Sequence, residues 1–124
     1  MLGLRAGRHA ARKLAANPFQ LEVVVHCPGR TPYTCFIDGI QVGSGCTMGK
    51  GNIRHIRSGR VWVEFRLRTP PGKGAVPGTR LELRPELWAE LHLNPDRNQR
   101  QLAARARALF RRPFAELFIE QPAA

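Results

Sequence analysis

The sequence predicts a single α+β domain in which helices from both ends of the chain pack against an antiparallel or mixed sheet. Three observations support this prediction. A chain of 124 residues has room for one hydrophobic core. Its middle alternates apolar and polar residues, as half-buried strands do, and both of its ends carry apolar residues at helical spacing. Residues 1–124 are therefore treated as one domain.

The N-terminal part predicts helix, strand and helix in that order. Over residues 2–15, apolar residues recur at helical spacing while arginines fall on another side. This helix should end at Asn17-Pro18, because the residue before a proline is disfavoured in helical conformation. The short β-branched LEVVV at 21–25 is typical of a buried strand. After a loop broken by Pro and Gly, TCFIDGIQV predicts a short helix that runs into a glycine-rich stretch.

The middle of the chain predicts two antiparallel strands and a connecting hairpin. VWVEFRLR at 61–68 alternates strictly, with its valines, Phe65 and Leu67 on one side. Ser58-Gly59 is a plausible hairpin turn from the preceding IRHIR. TRLELRP repeats the alternation after a Pro/Gly-rich loop at 69–78.

Helical patterns return in the C-terminal part. Pro85 suits the first turn of a helix over PELWAELH, and Asn94-Pro95 resembles a second helix start. One face of the longer second helix should be apolar, with Leu102, Ala106, Leu109 and Phe110. After Pro113, FAELFIE should form either a short helix or an edge strand.

Charge and cysteine content indicate the compartment and the class of partner. The net charge is +11, and most of the 20 basic residues are arginine, which favours anionic partners such as nucleic acid or acidic proteins. The arginines are dispersed, however, as they are on an ordinary solvated surface. Three cysteines cannot pair completely, so a reducing cytoplasm is expected. No apolar run approaches the roughly 20 residues that span a bilayer, so no membrane association is expected.

The stretch GSGCTMGKGN at 43–52 is not a nucleotide-binding P-loop. That motif needs a glycine five positions before its GK pair and a hydroxyl residue directly after the lysine. Here the two positions are occupied by Ser44 and Gly51. The residues that follow also predict strands where a P-loop would have a long helix.

The thiols allow three interpretations. Cys35, Asp38 and Cys46, with His26 and Cys27 upstream, are ligand types that suit zinc or iron, although no C-x-x-C pair occurs. Alternatively, Lys50 and the glycine-rich backbone could lower the pKa of Cys46 and make it a catalytic thiolate. Any of these cysteines could also be a small buried hydrophobe. The three remaining histidines, His9, His55 and His92, are expected on the surface or in packing.

A resemblance to a known family rests on these same residues. CFIDGIQ followed by GSGCTMGKGN closely resembles C-x-x-D-[AG]-I-Q-x-x-T-G-C-T-x-G-K-x-N, the signature of the FmdE family, which is named after formylmethanofuran dehydrogenase. The similarity extends from the first helix to FAELF. The matching positions are Cys35, Asp38, Gly39, Ile40, Gln41, Gly45, Cys46, Thr47, Gly49, Lys50 and Asn52.

The resemblance implies an α+β domain, commonly a homodimer, with a cleft where Cys, His and Asp side chains bind a metal such as zinc or iron. It implies that Cys35 and Cys46 are ligands or reactive groups with Asp38 and Gln41 as polar neighbours. Thr47, Lys50 and Asn52 would form a loop that holds an anion or cofactor or orients the site. A molybdenum or tungsten oxidoreductase is the implied partner.

Two family elements have no counterpart here. The family opens with H-x-C-P-G directly before its first helix, and this sequence begins at Met1-Leu2-Gly3, where that element should have ended. We expect either a start further upstream or a member that has lost a Cys and a His from its site. His26-Cys27-Pro28-Gly29 resembles the element but follows a strand. The C-terminal zinc ribbon of longer relatives is also missing, because no paired cysteines follow Cys46.

The leading hypothesis is thus an FmdE-like, metal-binding accessory or redox-linked domain, and whether it catalyses a reaction is open. The alternative is a non-catalytic basic module that binds nucleic acid or an acidic partner.

Overall fold

The computed structural model describes residues 1–68, 77–93 and 98–123, with the side chains of His92 and Leu93 also outside the description. Within these residues the chain forms five helices and one five-stranded mixed sheet, which confirms the predicted α+β class. A short 3-10 helix, Pro18–Gln20, precedes the first strand. The helices are α1 Leu2–Lys13, α2 Cys35–Ser44, α3 Pro85–Leu93, α4 Gln99–Arg111 and α5 Phe114–Leu117. The strands are β1 Leu21–Cys27, β2 Ile53–Arg57, β3 Trp62–Leu67, β4 Gly78–Leu83 and β5 Phe118–Pro122.

The sheet has the order β2-β1-β3-β4-β5, and β1 is parallel to β2 while all other neighbours are antiparallel. The predicted hairpin at Ser58-Gly59 is therefore wrong. Val23 of β1 lies opposite Ile53 of β2 on one side and opposite Phe65 of β3 on the other. The segment after β2 crosses the end of β1 and is held there by the Ser58 N–H, which donates to the Cys27 carbonyl at 3.1 Å.

Burial explains why β1 lies between β2 and β3 in the sheet. Alternate residues of β1 are fully or almost fully buried, so this strand gains most from two neighbours. In β2, by contrast, only Ile53 is buried and the other four residues are exposed, which suits a sheet edge. Alternation predicted β3 and β4 correctly, but it does not report which strands become neighbours.

The hydrophobic core lies on one face of the sheet. It includes Val25, Val63 and Leu81, which are adjacent across three strands and have no exposed surface. Ala10 of α1 and Ile40 of α2 belong to the same cluster, so these helices cover this face.

The C-terminal predictions have mixed outcomes. FAELFIE contains both predicted alternatives, because α5 leads directly into the edge strand β5. In α4, Leu109 is buried as predicted, but Leu102 and Phe110 are about half exposed at 50% and 47%. The predicted helix start at Asn94-Pro95 lies outside the described residues, and the described helix begins at Gln99 with the Asn98 side chain as its cap. Residues 69–76 of the predicted loop also lie outside them.

Glycines let α1 and α2 pack backbone against backbone. A Cβ atom added at Gly39 would lie 2.7 Å from the Leu4 backbone nitrogen, and one at Gly7 would lie 2.7 Å from that of Ser44. Added methyl groups at Gly3 and Gly43 would also meet backbone atoms of the opposite helix. Glycine normally costs helix stability of about 1 kcal/mol relative to alanine, so its presence here is explained by this close approach. The crossing fixes the position of α2, which carries the first half of the signature.

A polar contact ties α1 to the last strand. The Glu120 carboxylate accepts hydrogen bonds from the Thr79 hydroxyl at 2.6 Å and from His9 at 3.0 Å, and it forms an ion pair with Lys13 at 3.1 Å. Burial alone would raise the pKa of Glu120, but the hydrogen bonds outweigh it and the pKa is lowered. The cluster therefore stabilises the ionised carboxylate between α1 and β5.

Candidate functional site

The two halves of the signature lie at opposite ends of α2. Cys35 is the first residue of this helix, and Cys46 follows its C-terminal cap, Gly45. A helix of this length extends for about 15 Å. Within one chain, the structure therefore does not bring these two thiols together on a shared metal ion.

The N-terminal end of α2 opens into the Cys35 cleft, a cavity of about 790 Å³. Its walls come from the start of α1, the loop before α2, and α3 and α4, and they are mainly apolar. Cys35 lines this cleft and is exposed. Tyr33 and Trp88 add aromatic surface, with ring centroids 5.2 Å apart. A large, mostly apolar cavity with a few polar groups is the usual form of a small-molecule site.

Helical spacing places further signature residues near Cys35. Asp38 lies one turn along α2 and is exposed, and Gln41 lies a further turn along and is half-buried. The loop before the helix turns back on itself, since the Cys35 N–H donates to the Pro32 carbonyl at 3.1 Å. Cys35 thus lies at the cleft, and Asp38 follows it one helical turn further along α2.

The C-terminal end of α2 leads into the 45–52 turn, which is held by hydrogen bonds. Gly45 has a φ of 76°, the left-handed conformation that glycine adopts most easily at a helix end. Asn52 is 4% exposed; its side-chain amide donates to the Pro18 carbonyl at 2.7 Å and to the Leu21 carbonyl at 3.2 Å. Its side-chain oxygen accepts from the Thr47 N–H at 3.0 Å. Asn52 thus ties the turn to β1.

Cys46 has the environment of a neutral, buried thiol. It has no exposed surface, and burial raises its pKa despite opposing effects of Ser44, Lys50 and Arg68. The Lys50 ammonium lies 5.5 Å from the centroid of the Phe19 ring. The pKa of Cys46 is therefore shifted away from that of an activated thiolate, opposite to the lowering expected from Lys50.

His26 and Cys27 are neighbours in sequence but point to opposite faces of β1. His26 stacks on Trp62 with ring centroids 3.4 Å apart, and burial is the main cause of its lowered pKa. The Cys27 thiol is buried, which raises its pKa, and it lies 3.4 Å from Nε2 of His55. His55 is exposed, as expected, but its link to Cys27 was not predicted. The parallel register, which places His55 opposite Val25, was the missing information.

A complete metal site is not formed by the described residues. Across 1–68, 77–93 and 98–123, no three His, Cys, Asp or Glu side chains are grouped so that they could hold an ion. Cys35 and Asp38 would supply two donors, whereas protein sites for zinc use at least three protein ligands. The donor set of one chain therefore does not by itself fit the metal that the resemblance implies.

The described helices are all too short or too polar to cross a bilayer.

Comparison with known proteins identifies the family. The family model described as FmdE, molybdenum formylmethanofuran dehydrogenase operon, matches residues 1–119. The chain belongs to the FmdE family. No curated protein matches it. The FmdE match spans both ends of α2, so it includes the cleft at Cys35 as well as the 45–52 turn.

Proposed function

We propose that this FmdE-family chain is a metal-binding or redox-linked accessory domain whose functional site is the Cys35 cleft. One observation carries the proposal: of the three cysteines, Cys35 is exposed and lines the large cavity, whereas Cys27 and Cys46 are buried. An accessible thiol beside a carboxylate can bind a metal or a substrate, which a buried neutral thiol does poorly.

The signature then has two different tasks. Cys35 and Asp38 supply chemical groups at the cleft. Cys46, Thr47 and Asn52 stabilise the turn that fixes the other end of α2, and their polar atoms are engaged in internal hydrogen bonds. Lys50 contributes positive charge near this turn without activating the Cys46 thiol.

The metal site is completed on assembly in this proposal. A Cys35 thiolate and an Asp38 carboxylate suit zinc or iron, and the remaining donors come from a second copy of the chain or from an oxidoreductase partner. The family description, which refers to the operon of a molybdenum dehydrogenase, supports such a partner. We therefore keep a homodimer, an oxidoreductase partner and a cytoplasmic location as parts of the proposal.

A zinc titration against a coloured chelator tests the metal site. We expect the wild-type protein to compete for zinc and to shift toward a larger species in light scattering when zinc is added. Cys35→Ser should abolish both effects because it removes the accessible thiol. Cys46→Ser is the matched control and should retain zinc binding, because its thiol is buried away from the cleft. Equal zinc affinity in the wild type and Cys35→Ser would refute the assignment.

A further inference from the structure

The outer face of α4 carries a row of arginines. Arg100, Arg107 and Arg111 are separated by seven and four residues, so they lie within about 40° of one another around the helix and extend over about 16 Å. All three are exposed, whereas Leu109 on the opposite side of the helix is buried. We call these three residues the arginine row.

Among the residues that the structure describes, none forms an ion pair that neutralises the arginine row. Neither α1 nor α4 contains an acidic residue. Within residues 1–68, 77–93 and 98–123, none of the three arginines forms an ion pair, although the adjacent Arg112 pairs with Glu90 and Glu116. The row is therefore a local surface of uncompensated positive charge and not merely part of a mixed polar surface.

The first helix, which contacts α4, also carries exposed arginines. Arg8 and Arg12 are exposed on the outer side of α1. Arg5, from the same helix, donates to the Leu109 carbonyl at 3.0 Å and to the Arg112 carbonyl, so it ties α1 to the C-terminal end of α4.

The residues between the arginines indicate what kind of surface could approach. Ala104 lies along the row, and Ala103 and Ala108 border it, so the row is flat and has no large apolar side chain. Insertion into a bilayer would need large apolar residues there, and a stable protein interface would need aromatic anchors. The exposed Phe110 lies to one side of the row, and Leu102 faces the Cys35 cleft.

We propose that the arginine row binds the phosphodiester backbone of nucleic acid. Guanidinium groups bind phosphate oxygens in bidentate fashion, and successive phosphates offer the repeated negative charge that a linear row of cations requires. The proposed contacts go to phosphate oxygens, which carry no sequence information, so this binding is independent of sequence. This function is separate from the metal chemistry of the Cys35 cleft.

The salt dependence of binding tests the proposal. The affinity of the full chain for a short DNA duplex of random sequence is measured by fluorescence anisotropy between about 50 and 200 mM salt. In the variant R100Q/R107Q/R111Q, loss of three phosphate contacts should lower the slope of log affinity against log salt by about 2.7. Over that range, the wild type would lose about 40 times more affinity than the variant.

A second triple variant separates location from net charge. R30Q/R54Q/R57Q removes the same number of exposed arginines from the loop after β1 and from the β2 edge. It should leave the slope almost unchanged, and circular dichroism confirms that both variants fold. Equal losses in the two variants, or no wild-type binding at about 50 mM salt, would overturn the proposal. Binding to anionic vesicles without binding to DNA would also overturn it, in favour of a membrane surface.

Discussion

The crossing of α1 and α2 gives a quantitative prediction for Gly39→Ala. The added methyl group would lie 2.7 Å from the Leu4 backbone nitrogen and 3.0 Å from backbone carbons of Gly3. Backbone atoms cannot rotate away, so the two helices must separate by several tenths of an ångström. Overpacking of this kind costs about 1–3 kcal/mol, whereas alanine regains about 1 kcal/mol of helix propensity. The middle of the overpacking range, about 2 kcal/mol, less the gain of about 1 kcal/mol gives an expected net loss of about 1 kcal/mol in the free energy of unfolding.

Thermal unfolding followed by circular dichroism measures this loss. For a domain of 124 residues, 1 kcal/mol corresponds to about 4 °C, so Tm should fall by about 4 °C. Gly59→Ala is the matched control, because it makes the same chemical change where no atom lies within 4 Å of the added group. It should change Tm by less than about 2 °C. A Tm for Gly39→Ala at or above that of the wild type would show that helix propensity outweighs the close contact.

Buried hydrogen bonds and the different thiols give the remaining predictions. Asn52→Ala should lower the free energy of unfolding in urea by about 3 kcal/mol, because the Thr47 N–H and the Pro18 and Leu21 carbonyls lose their partner. For Glu120, the lowered pKa means that its contribution to stability is present above the ordinary pKa of glutamate and is lost as the pH falls through the folded-state pKa; Glu120→Gln should flatten this dependence in acid titrations. Under native conditions, a thiol reagent should modify Cys35 rapidly and Cys46 only after unfolding. Rapid labelling that persists in Cys35→Ser would contradict the burial of the other thiols.

Local patterns predicted the helices and strands themselves better than they predicted which strands lie side by side in the sheet. Alternation identified β3, and Pro85 and Pro113 marked helix boundaries correctly, whereas α1 ends at Lys13, before the end predicted at Asn17-Pro18. The position of β2 could not be derived in this way, because Ser58-Gly59 is compatible with a hairpin but does not require one. The burial of β1 on its core face decided the pairing, and that burial depends on the whole sheet.

For the site as well, the sequence predicted local relations between signature residues but not every structural role. Their spacing placed Cys35 and Asp38 one helical turn apart, as the structure has them. The separation of Cys35 from Cys46 also follows from helix length, once α2 is known to extend through Ser44. The roles of the glycines in α2 were not foreseen. Gly39 and Gly43, with Gly3 and Gly7 in α1, form small-residue pairs four positions apart, and this spacing was the available signal.

The exposed edge strand β2 has a consequence for solution behaviour. No strand in the described part of the chain pairs with its outer side, which is therefore a surface on which strands of other molecules can add. Arg54 and Arg57 are exposed along this edge, so two such edges repel each other at low ionic strength. Concentrated salt shortens the range of this repulsion to about 3 Å at 1 M. The protein should therefore stay dispersed in dilute buffer and become prone to edge-to-edge aggregation as salt is added.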